Sequence, residues 1–185
     1  MITSRTRERA PTEGVQNVAI DSYRFLDFAT RQIMKAWVKR EGQATRPIPW
    51  CPLTKPLARC TVALVTSAGV ARKDDVPFDQ ESERRNPWWG DPTHRVIPMG
   101  TTAADVELHH MHIDTRFGKE DLNVVLPMDR LEDLAREGVV GAAARSHYSV
   151  MGYILRPERL ERETAPAIAR IMNLEGVDAA ALVPA

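Results

Sequence analysis

The run from Cys60 to Gly69 constrains the fold more than any other stretch of this chain. It is almost continuously β-branched or apolar until it reaches Thr66, Ser67, Ala68 and Gly69. A strand with one wet face alternates apolar and polar residues. An uninterrupted apolar run marks a strand covered on both faces, as inside a parallel sheet. The small residues at its end leave backbone amides open at the strand's C-terminal edge, and in open α/β sheets ligands bind at that edge. Ser67 is therefore a candidate catalytic group, and Thr66 and Gly69 are candidate substrate contacts. The same small residues would suit an ordinary turn equally well.

The second half of the chain repeats the theme. Leu122 to Pro127 reads as another buried strand. Asp129 with Glu132 forms a capping box for a helix whose apolar stripe is Leu131, Leu134 and Ala135, and Gly138 ends it. Val139 to Ala144 is a further strand. Thr164 can cap a helix that carries Pro166 in its first turn and runs to about Leu174, before a terminal strand from Asp178 to Pro184. Strands alternating with helices imply parallel pairing and right-handed crossovers. The expected fold is α/β, a three-layer, mostly parallel open sheet with flanking helices.

At 185 residues and 43% hydrophobic content, the chain suits one domain with a proper core. Residues 1–16 are polar and read as a frayed terminus, leaving 17–185 as the single domain. Tyr23, Leu26, Ile33 and Trp37 recur at helical spacing between Ser22 and Arg40. Prolines 47, 49, 52 and 56 make residues 43–59 an extended connector. Residues 71–93 form a long irregular excursion in which Trp88 and Trp89 suggest a lid or a wall for a partner. A short strand at 95–98 and a single turn at 103–106 follow.

Lys plus Arg equal Asp plus Glu at 25 each, so no net field recruits nucleic acid or an anionic membrane. No apolar run approaches the roughly 20 residues that span a bilayer. The first residues also lack the apolar core of a signal peptide, which points to the cytoplasm. In that compartment Cys51 and Cys60 are expected as free thiols.

Chemistry concentrates in residues 106–115. His109, His110, His112 and Asp114 fall within six positions, in a chain with five histidines. On an extended strand His110, His112 and Asp114 would share one face. Two imidazoles and a carboxylate pointing the same way could ligate a divalent metal, with His110, His112 and Asp114 as the ligands. They could equally act as an acid/base pair, or simply form the wet face of an edge strand. His147 lies just past the Val139–Ala144 strand, and it is expected to face the same cleft as His112 and Ser67, with Tyr148 beside it as a substrate contact.

Six ordered blocks carry a resemblance: residues 52–57, 62–70, 90–98, 110–114, 123–131 and 145–154. From about residue 45 onward the chain resembles the selenoprotein B family of glycine, sarcosine, betaine and D-proline reductases. The resemblance implies reductive cleavage of a carbon–nitrogen bond, with a selenol or thiol nucleophile and a dithiol as electron source. In the longer members the nucleophile follows the Leu182–Pro184 strand, in a loop rich in cysteine or selenocysteine. This sequence stops at Ala185, where that loop would begin, so it would correspond to an incomplete half of a larger family fold. Cys60 reads as a small hydrophobe at the start of a buried strand, and Cys51 lies in the connector.

Two classes of function follow. One is an oxidoreductase subunit contributing His112, Asp114 and His147 on a small-molecule substrate, with a partner or cofactor supplying the nucleophile. The other is a non-catalytic scaffold subunit. A metal-dependent lyase or hydrolase using His110, His112, Asp114 and His147 is the alternative within the first class. The sheet edge at the terminal strand implies association, as a homo-oligomer or with a different subunit.

Overall fold

A computed structural model describes residues 28–42, 51–86 and 89–185. The stretch expected to be a frayed terminus, the start of the first helix, residues 43–50 of the proline connector and Trp88 lie outside the described residues. The chain divides into two compact units, residues 1–50 and 51–185. The first contains helix α1 (Phe28–Gly42), whose last turn carries Lys39 and Arg40, cations suited to the negative end of the helix dipole.

The second unit runs in the order β1 (Thr61–Thr66), β2 (Val70–Arg72), α2 (Gln80–Arg85), β3 (His94–Pro98), β4 (Val106–Leu108) and α3 (Thr115–Glu120). It continues with α4 (Met128–Arg136), β5 (Ala142–Ala143), β6 (Ser146–Val150), α5 (Ala165–Leu174) and β7 (Ala179–Val183). β1 is the centre of the main sheet. Val62 pairs with both Ala143 and Ala179, and Val65 pairs with both Tyr148 and Leu182. β5 and β6 therefore lie end to end along one edge of β1, and β7 lies along the other, all three parallel to it. β3 closes the β6 side antiparallel, with Ile97 opposite His147.

Burial on both faces of β1 follows from its composition. Val62 and Leu64 pack in one cluster with Leu126, Met128 and Leu131. Ala63 packs in another with Tyr148, Ile168 and Met172. The sheet is thus sandwiched between α4 on one side and α5 on the other, an α/β arrangement with a mostly parallel sheet. Burying one leucine such as Leu64 contributes about 2 kcal/mol. β7 is more open, with Leu182 76% exposed.

Three expected elements differ. Residues 122–127 are not a strand: Leu122–Val124 form a 3-10 turn, because Asp121 accepts the Asn123 backbone N–H and the Asn123 side-chain amide bonds to Asp129. The strand expected from 139 to 144 shrinks to Ala142–Ala143, and the segment after it, to which no element was assigned, is β6. The histidine strand ends at Leu108. Beyond it the Asp114 side chain accepts the Arg116 N–H and caps α3, so residues 109–114 must turn rather than extend.

Candidate functional site

The site lies where β1 ends. Thr66, fully buried, turns its hydroxyl oxygen to the Ala68 N–H at 3.2 Å. Ser67 N–H donates to the Val183 carbonyl, Gly69 N–H to the Val150 carbonyl, and Val70 N–H to Ser149 Oγ. The amides of this turn are all engaged within the chain, and the Ser67 hydroxyl meets Ala185. Gly69 adopts φ +63, and a side chain there would collide with Met151 Sδ and the His109 carbonyl. This close approach lets the His109 N–H donate to the Gly69 carbonyl at 2.8 Å, which anchors the histidine segment to the end of β1.

From that anchor the segment folds on itself. The His112 backbone N–H donates to His110 Nδ1 at 3.1 Å, and the two rings meet edge to face with centroids 5.9 Å apart. His110 is 6% exposed, and burial pushes its imidazole toward the neutral form, with His112 adding to the effect. Its Nε2 faces Gly152, where a Cβ would sit 2.6 Å from it and 3.0 Å from the Ser67 carbonyl. His112 remains half open to solvent. Its Nε2 lies 3.0 Å from Oε1 of Glu83, a residue only 2% exposed, and its ring lies over Tyr153 with centroids 4.1 Å apart. The second Glu83 oxygen is buried without a hydrogen-bond partner. Burial and the Glu83 charge both push the Tyr153 hydroxyl up.

A buried carboxylate held against a half-exposed imidazole fixes the ring's orientation. An imidazole oriented in this way is a geometry that proton-transfer chemistry can use. Neither Glu83 nor Tyr153 was singled out by sequence reasoning. Glu83 stands among Glu81, Arg84 and Arg85, where it looks like one more charge in the excursion read as irregular, and 29 positions separate it from His112.

The other candidates are placed elsewhere. Asp114 is on the surface, bonded to the Arg116 guanidinium and backbone N–H, which hold its carboxyl down at about 2. His147 is fully buried in β6, and its Nδ1 accepts the Leu64 N–H at 3.0 Å. The register between β1 and its neighbour shifts by two residues between Ala143 and Tyr148, and the imidazole supplies the acceptor that the interrupted ladder lacks there. Burial lowers its pKa to about 4, opposed by Glu175. Tyr148 is also fully buried, its hydroxyl pushed up to about 12 by desolvation and by Glu175. Trp89 lines a cavity of about 260 Å³ with Asn86, Pro92, Arg156 and Arg159.

Among the described residues, no three His, Cys, Asp or Glu side chains gather as a metal site. The expected ligands diverge because His110 Nδ1 faces a backbone amide, His112 Nε2 faces Glu83 and Asp114 faces Arg116. No helix among the described residues is long and apolar enough to cross a membrane.

The D-proline reductase subunit gamma of Acetoanaerobium sticklandii is 38% identical over 138 residues, covering 75% of this chain and 54% of the relative. The sarcosine reductase complex component B subunit beta of Peptoclostridium acidaminophilum is 32% identical over 57% of this chain and 23% of its own length. The glycine reductase complex component B subunit gamma of Symbiobacterium thermophilum is 30% identical over 57% and 24%. The chain thus spans about half the length of the first relative and about a quarter of the other two. No solved structure matches it significantly. The family model for glycine/sarcosine/betaine reductase selenoprotein B matches residues 39–185, all of the unit that holds the histidine segment, and this chain belongs to that family.

Proposed function

We propose that this chain is a subunit of a reductase that cleaves a carbon–nitrogen bond in a small substrate, with His112 handling the proton. The nucleophile is a thiol or selenol from a partner subunit or a cofactor. It attacks the carbon, the carbon–nitrogen electron pair passes to nitrogen, and His112 donates the proton that lets the amine leave. A dithiol then supplies the two electrons that release the reduced carbon and restore the nucleophile. Glu83 orients His112, while His110 holds the backbone of His112 in place. The carrying observation is the buried Glu83 carboxylate 3.0 Å from Nε2 of half-exposed His112. The relatives support the setting, since two of them are named as components of reductase complexes.

The test is to purify the tagged chain with its native partners and assay, with a dithiol reductant, amine release from glycine, sarcosine and betaine and ring opening of D-proline to 5-aminopentanoate. Activity that falls about 100-fold in His112→Gln, with the complex intact by light scattering, is the expected result. Full activity in that variant would reject His112 as the proton donor. Absence of cleavage with every one of these substrates would reject the reductase reading.

A further inference from the structure

We propose that Asp91 is the positioning residue of this site, holding both the helix that carries Glu83 and the segment after β6 that carries Tyr153. This rests on the assignment of His112 and Glu83 above. Asp91 is 6% exposed, and its carboxylate meets Thr93, the Asp79 backbone N–H and, at 3.9 Å, the buried Arg95 guanidinium, all outside the histidine segment. Its Oδ1 accepts both the backbone N–H and the hydroxyl of Thr93, at 2.9 and 2.5 Å. Its Oδ2 accepts the Asp79 backbone N–H at 3.0 Å.

Asp79 is the N-cap of α2, its own carboxylate receiving the Ser82 N–H at 2.9 Å. α2 is a six-residue helix whose one buried side chain is Glu83. So short a helix has little stability of its own, and its orientation is set by what holds its ends. The N-terminal end is held by Asp91. The next residue back, Gly90, packs so closely on the backbone of Tyr153 and Ile154 that any side chain there would collide with the Tyr153 carbonyl. Pro92 is fixed in turn by the Thr164 hydroxyl, which donates to its carbonyl at 2.5 Å. The Gly90–Pro92 segment is therefore a rigid bracket against which α2 and Tyr153 both seat, and those two elements supply the walls around His112.

Asp91→Asn has nearly the same shape but replaces one acceptor oxygen by an NH2 group. Whichever way the amide turns, either Thr93 or Asp79 loses its acceptor. The experiment reads the His112–Glu83 hydrogen bond itself, as the Nε2–H proton resonance of His112 in 15N-labelled full-length protein. Glu83→Gln provides the reference for its loss, and the buried Nε2–H of His147 reports whether the sheet is intact. Because turnover is not measured, failure here is separable from failure of the proposed reaction.

In Asp91→Asn the His112 proton should exchange roughly 10-fold faster or disappear while the His147 proton persists. Unchanged His112 and His147 signals would overturn the proposal. If both signals are lost, the milder Thr93→Val, which removes one hydroxyl from Oδ1, decides. Selective loss at His112 supports the bracket, and either no change or joint loss overturns it.

Discussion

His147 and His112 are the same side chain set in opposite surroundings. His147 is fully buried, bonded to a backbone N–H, and held neutral with its proton on Nε2. His112 is half exposed and bonded to a carboxylate that has no other partner for its second oxygen. A backbone donor makes an imidazole a strut, because protonating it would remove the acceptor the ladder needs. A buried carboxylate would make an imidazole a reagent in the proposed reaction by holding the ring in one orientation at the surface.

The sharpest way to break this contrast is to delete both rings. His147→Ala should cost about 3–4 kcal/mol by urea unfolding, from an unsatisfied Leu64 N–H and the cavity left behind. His112→Ala should stay within about 1 kcal/mol. Equal costs would mean that His147 is no strut.

Acid should separate them next. The folded-state pKa of His147 is depressed from 6.5 to about 4, so the unfolded chain binds its proton first as pH falls. The stabilisation is fully present above pH 6.5 and is lost progressively toward pH 4, by at most about 3 kcal/mol. The difference in unfolding free energy between wild type and His147→Gln across that window measures it, and parallel curves would refute the strut.

A third measurement sharpens the reagent side. Glu83→Gln keeps the shape and removes the charge, so amine release should fall about 100-fold, equivalent to roughly 2.7 kcal/mol, with a much smaller change in stability. A large stability loss with normal turnover would reverse the assignment.

Smaller again is Gly152→Ala, which places a methyl against His110 Nε2 and the Ser67 carbonyl. It should cost about 1–2 kcal/mol in unfolding experiments and shift the NMR signals of His110 while those of His147 stay put. The smallest effect belongs to Asp114→Asn. Its carboxylate caps α3 and pairs with Arg116 on the surface, so only a slight loss of helix signal by circular dichroism is expected, with amine release unchanged.

Much of the frame was legible in the residues. The apolar run of β1 reads as a strand covered on both faces, and Val62, Leu64 and Ala63 do pack into clusters on either side of the sheet. The helix ending at Gly138 and the helix running to Leu174 are also found, because their apolar stripes and stop signals are local. The failures are local too. Residues 122–127 carry strand-like apolar residues, but Asp121 and Asn123 offer the backbone nearer partners than a sheet could. β6 was missed because its polar residues, Ser146, His147 and Ser149, find buried partners in distant segments instead of solvent.

By itself, the sequence determined the α/β class, the central strand and the clustering of histidines near its end, since each depends on composition and spacing along a few consecutive residues. Only the tertiary structure decided which imidazole was buried against a backbone N–H and which was left half open beside a carboxylate. That choice rests on Leu64 and Glu83, residues 83 and 29 positions away from their histidines, and on the different burial of the two rings. A histidine's protonation is set by the charges and donors packed around it, and chain order does not specify those until the sheet has formed.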